Sequence, residues 1–173
     1  MVMVVTPNEL IRYTRAIQAI LTGYSGYVKG KRIETDQQIR EEIIRASTRC
    51  RQHIQNVHDT GLRQSNLPLA QACKSCLHEV DALIEDVDKS SSGARGAFFT
   101  SQKKLSNKNL KTLIRHDKEV IEMVTDAVRL SNDAERATQE KQDNASSTVM
   151  RCQQMISSCR GFYSERLVHL GDI

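Results

Sequence analysis

The chain has 173 residues, of which 27% are charged, with a net charge of +4 and a mean hydropathy of −0.48. That length suits one domain, residues 1–173, with a substantial core. Aromatics make up 4%, Trp is absent and Pro occurs twice, so Leu, Ile, Val, Ala and Met must build the core, which favours helix-on-helix packing over a sheet. The modest positive charge does not imply nucleic acid by itself, and no apolar run approaches the ~20 residues that span a bilayer.

Met1–Val5 is apolar but shorter than the central region of a signal peptide. Thr6-Pro7-Asn8-Glu9 then has the form of a capping box, with Pro in the first turn. Leu10, Tyr13, Ile17, Ile20, Leu21, Tyr24 and Val28 form the first seam, with Gly30 the expected stop. Thr35-Asp36-Gln37-Gln38 repeats the capping pattern, and Ile39, Ile43, Ala46, Cys50, Ile54 and Val57 continue to a stop at Gly61. Asn66-Leu67-Pro68 restarts the chain, and the seam from Leu69 through Cys73, Cys76 and Val80 to Val87 is expected as two short helices. Ser90-Ser91-Ser92-Gly93 and Gly96 mark a loop, where the serines are potential phosphate acceptors.

Leu110 to Ala137 is one long amphipathic helix, with Leu113, Ile114, Val120, Ile121, Val124, Ala127, Val128 and Ala134 along one side. Only Asp117 and Ser131 interrupt that seam. Nearly opposite, Lys104, Lys108, Lys111, Arg115 and Lys118 fall at alternating four- and three-residue steps, joined by Lys103 beside them. No acidic residue lies between Asp88 and Asp117, and cations near a helix start are disfavoured by the dipole. Such a row is expected either to meet an external anion, an acidic protein surface or a lipid phosphate, or to be a solvated polar face. In the preceding loop, Phe98 and Phe99 beside Arg95 have the composition of a membrane or partner anchor, or of a plug over the bundle end. A polar reversal at Asp143-Asn144 leads into a final helix over about 145–170, carrying Val149, Cys152, Ile156, Cys159, Tyr163 and Leu167. No stretch alternates with a period of two, so the expectation is an all-α antiparallel bundle of about five helices.

The five cysteines lie mostly on helix seams, as reduced cytosolic thiols would. Cys50-x-x-His53 and Cys73-x-x-Cys76 make a four-ligand zinc site conceivable, with His53 brought near Cys76 by folding about residues 61–68. Their seam positions favour packing instead, because buried thiols behave as small apolar groups. His78 and His116 lack a fixed nucleophile, the adjacent Glu41-Glu42 and Glu85-Asp86 splay around their helices, and no Gly-rich phosphate loop follows a strand. The single Arg95-Gly96 pair is too little for RNA. No enzyme activity, metal or cofactor is expected, and no specific nucleic acid.

The order of elements resembles the C-terminal tail bundle of the vinculin and α-catenin family over roughly residues 8–139. The resemblance rests on the break Tyr27-Val28-Lys29-Gly30-Lys31-Arg32, the run Gln38-Ile39-Arg40-Glu41-Glu42-Ile43-Ile44-Arg45-Ala46-Ser47, the shorter Leu69-Ala70-Gln71-Ala72-Cys73, and the long helix from Leu113-Ile114-Arg115-His116-Asp117-Lys118-Glu119-Val120 through Ala134 to Ala137. Talin-type rods are a weaker match, being far richer in alanine. The resemblance implies a cytoplasmic adaptor at the cytoskeleton or cell junctions that binds F-actin, with acidic phosphoinositide lipid as a second partner. Lys103, Lys104, Lys108, Lys111, Arg115 and Lys118 are the expected contacts. The alternative is a protein-only scaffold whose groove receives a partner's amphipathic helix. The helix beyond residue 145 is extra to the family pattern, so where it packs decides whether the cationic row is open.

Overall fold

The structure, a computed structural model, describes residues 7–28, 30–90 and 107–171. They form five helices and, among the described residues, no strand: α1 (Pro7–Ile20), α2 (Arg32–Arg63), α3 (Leu67–Lys89), α4 (Asn107–Gln139) and α5 (Ala145–Gly171). The all-α bundle is as the periodicity predicts. Ile17, Ile43, Val80, Val124 and Ile156, one from each helix, belong to a single buried cluster. Each such aliphatic side chain contributes roughly 1.5–3 kcal/mol when fully buried.

Contacts fix the arrangement. α2 packs on α3 and α4, while α5 packs on α3 and α4, which places α2 diagonal to α5. Arg51 of α2 pairs with Asp81 of α3, and Arg160 of α5 pairs with Glu79 and Asp86 of α3. Cys152 and Cys159 of α5 reach the carbonyls of Ala127 and Val120, so α4 and α5 run antiparallel. Two antiparallel hairpins, α2–α3 and α4–α5, therefore lie side by side, with like-directed helices as neighbours between them. The shorter α1 packs on α4.

Both hairpins turn with the same device. After α2, Ser65 adopts φ 56°, while the N–H groups of Ser65 and Asn66 donate to the carbonyls of Leu62 and Gly61. After α4, Lys141 adopts φ 55°, and Lys141 and Gln142 donate to Thr138 and Ala137. These are Schellman closures built without glycine. Asn66 then accepts from the Leu69 N–H through its side chain, so one residue ends α2 and caps α3. The expected stop at Gly61 is therefore two residues early: Gly61 stays helical and buried, facing Leu69.

Three further expectations are corrected. The first helix ends at Ile20, well before Gly30, because Gly23 and Gly26 turn the chain at φ 88° and 70° and deliver Tyr24 and Tyr27 to the core. α2 begins at Arg32, so Thr35-Asp36 is not its cap; the Thr35 hydroxyl instead bonds the carbonyls of Gly26 and Lys31. α3 is one continuous helix, not two. The capping box around Thr6 lies outside the described residues.

Candidate interaction surface and the ionic hub behind it

Arg115 and Lys118 share one side of α4 with Lys108 and Lys111, as their spacing predicts. Lys108 and Arg115 are exposed, whereas Lys111 and Lys118 are half-buried. Lys103, Lys104, Arg95, Phe98 and Phe99 lie outside the described residues. Arg129 lies three turns past Lys118, so it extends the row, and its side chain is 70% exposed. The same spacing, carried past Lys118, meets Glu122 and Thr125 before it reaches Arg129.

The later members of the row meet carboxylates of their own helix. Lys118 Nζ lies 2.6 Å from Glu122, and Arg115 stands 4.0 Å from Glu119. Arg129 pairs with Asp126 at 3.0 Å. All are partners within α4 itself, at i,i+4 or i,i−3, where an exposed pair contributes only about 0.3–0.5 kcal/mol and remains open to exchange. No ion pair to these three cations from another helix is found among the described residues. Lys118 also sits 5.8 Å from the ring of Tyr13, so α1, and not the final helix, flanks the row.

Where α1 ends at Ile20, a groove of about 450 Å³ opens between α2 and α4. Its floor includes Ile20, Ala46 and Val128, and Arg45, Arg49 and Arg129 stand around it. Arg45 is tied to the buried Glu42 through two hydrogen bonds of 2.8 and 2.9 Å, and Arg49 is exposed. The four-residue step from Arg45 to Arg49 places both on one side of α2. The cationic side of α4 thus continues onto α2.

α5 packs on the other side of α4, through its apolar seam and through a contact with Asp117. This residue, an apparent break in the apolar seam, is fully buried at the centre of an ionic hub. Arg166 of α5, itself 0% exposed, donates from Nε to Asp117 Oδ1 at 2.8 Å and from Nη2 to the Tyr27 hydroxyl at 2.6 Å. Its Nη1 stands 2.8 Å from Asp36 of α2 in ion contact. The hydroxyls of Tyr24 and Tyr27 donate to Asp117 Oδ2 at 3.0 and 2.7 Å, and Arg40 approaches Asp36 at 3.1 Å. Two carboxylates thus meet two guanidinium groups, so the hub carries no uncompensated charge. Burial pushes the Asp117 carboxyl up, against the opposing pull of Arg166 and the two tyrosine hydrogen bonds. Burial, followed by the Asp117 charge, pushes Tyr24 well above the usual tyrosine range; burial does the same to Tyr27, against the pull of Arg166.

The other seam interruption, Ser131, is buried and donates to the Val128 carbonyl at 2.7 Å. The conceived zinc set does not converge. His53 turns to α4, with Nδ1 2.5 Å from Glu135, rather than toward Cys76. Cys50 faces Cys152, with their sulfurs 3.5 Å apart. Among the described residues no group of three His, Cys, Asp or Glu side chains is placed to hold a metal. Comparison of the chain with protein-family models, with curated proteins and with solved structures finds no match.

Proposed function

We propose that this chain is a non-enzymatic adaptor domain of the cytoskeletal adhesion type, which docks the acidic surface of an actin filament on the outer side of α4 and the adjoining side of α2. The observation that supports it is the placement of α5. With Arg166 held on Asp117, the final helix lies away from the exposed cations Lys108, Arg115 and Arg129, and Arg45 and Arg49 extend that surface. An acidic partner would exchange the weak intrahelical pairs of Arg115 and Arg129 for intermolecular ones. Acidic phospholipid is the second partner in this reading, meeting the same cations through its headgroups.

The test is filament co-sedimentation of the full chain beside the combined variant R49E/K108E/R115E/R129E. Pelleting is expected for the unmodified chain and at least a tenfold loss of affinity for the variant, with helicity by circular dichroism unchanged. Equal pelleting of both proteins, or none of either above background, overturns the reading.

The protein-only scaffold is favoured by one separate feature, the apolar floor of Ile20, Ala46 and Val128 in the groove beyond α1. A groove of that kind suits an amphipathic helix laid in it. Binding of this kind would persist at high salt, where the filament complex would not.

A further inference from the structure

All five cysteines are buried and free, and three of them belong to one layer of the core. Cys50 comes from α2, Cys76 from α3 and Cys152 from α5. The Cys50 and Cys152 sulfurs are 3.5 Å apart, and each also lies within hydrogen-bond reach of the Ala127 carbonyl, at 3.8 and 3.4 Å. Cys76 lies against Cys152 as well. By contrast, Cys159 is directed at the Val120 carbonyl at 3.9 Å, about two helical turns away.

We propose that Cys50 and Cys152 are a modification site: oxidised by hydrogen peroxide, they form a disulfide that fastens α2 to α5 across the diagonal of the bundle. The sulfurs need to close by about 1.5 Å to reach the bond length of roughly 2.05 Å. The hydrogen bond with Cys152 is the main influence holding the Cys50 thiol below its ordinary range despite burial. Cys152 is pushed up by its contacts with Cys50 and Cys76 and by burial.

The Cys50 sulfur attacks one peroxide oxygen, the O–O bond breaks, and the departing hydroxide leaves as water after taking the proton that Cys50 gives up. The resulting sulfenic acid at Cys50 is then attacked by the Cys152 sulfur. The S–S bond forms as the S–OH bond breaks, and the Cys152 proton leaves with that hydroxyl as the second water. Two thiols and one peroxide become one disulfide and two waters. The two cysteines are 102 positions apart, so the bond closes a long loop, the case in which a cross-link constrains the unfolded chain most. The thiols can also be read as core filler alone, and the two readings separate on one experiment.

The full chain is treated with hydrogen peroxide under native conditions, unfolded in an alkylating reagent, and mapped by mass spectrometry without reductant. The expected product is a Cys50–Cys152 linked peptide pair, lighter by two hydrogens and restored by a thiol reductant. Its yield is unchanged in C73S, which alters a buried thiol outside the pair. The proposal is overturned if both thiols remain fully alkylated, if Cys76 links to Cys152 instead, or if the Cys50–Cys152 link forms only in the urea-unfolded chain.

Discussion

Arg166 and Asp117 join α5 to α4 inside the core. A cation in the core is costly alone and tolerable only when fully partnered, and Arg166 reaches two carboxylates and a tyrosine hydroxyl. Removing it leaves Asp117 buried with no cation, while Asp36 retains Arg40. Arg166→Met is therefore expected to cost about 3–5 kcal/mol in urea unfolding. Asp117→Asn keeps an acceptor for the tyrosines and leaves Arg166 its Asp36 partner, so its cost is smaller; the reverse ranking would contradict this account of the hub. The tyrosines add a pH signature. Both hydroxyls are raised above their ordinary value near 10 in the folded state. The folded chain therefore holds these protons where the unfolded chain releases them. Their contribution to stability is complete below pH 10 and is lost as pH rises above it. Unfolding midpoints measured on either side of that pH should fall with rising pH, and Tyr24→Phe with Tyr27→Phe should flatten the slope. Asp117 was visible in the sequence as a charge at a core position. Its partners were not, because Arg166, Tyr27 and Tyr24 stand 49, 90 and 93 positions away and no local rule connects them.

At the scale of helices, apolar period carried the information and end signals carried less. Seams such as Ile39, Ile43, Cys50, Ile54 and Val57 place the buried side of α2 correctly, because burial of that side is what stabilises the helix. The ends were misplaced where tertiary contacts supplied what a cap would. Thr35 has the chemistry of a cap, yet its hydroxyl serves the Gly26 carbonyl inside the turn that delivers Tyr27. Gly61 has the chemistry of a stop, yet the closure falls on Ser65, an L-residue held in the left-handed region. The strain there is testable. Ser65→Gly relieves a left-handed cost of about 1–2 kcal/mol and loses somewhat less to chain entropy, so a net gain of about 0.5–1 kcal/mol is expected. Gly26→Ala goes the other way: at φ 70° an added Cβ would also meet Ile114 Cδ1 at 3.4 Å, and a loss of at least 1 kcal/mol is expected. Chemical denaturation of the two variants checks both signs.

For the molecule as a whole, two side-by-side hairpins leave one side of α4 facing α5 and the other carrying the cations, with α1 flanking part of it. The bundle and its cationic α4 face were legible in the residue pattern, since both depend on one helical period. The pairing of Arg115 with Glu119 and of Lys118 with Glu122 was missed, although four-residue spacing within the same helix carries it. The continuation onto Arg45 and Arg49 was not legible, because it depends on α2 lying beside α4 in the same direction. Exposed pairs of this kind weaken with ionic strength, and so would any complex assembled from them. The most direct measurement is the affinity of the unmodified full chain for actin filaments across a salt titration. Tight binding at low salt that falls steadily as salt rises is the result expected of a cationic docking face. Binding that is absent at low salt, or that holds constant across the titration, would contradict it.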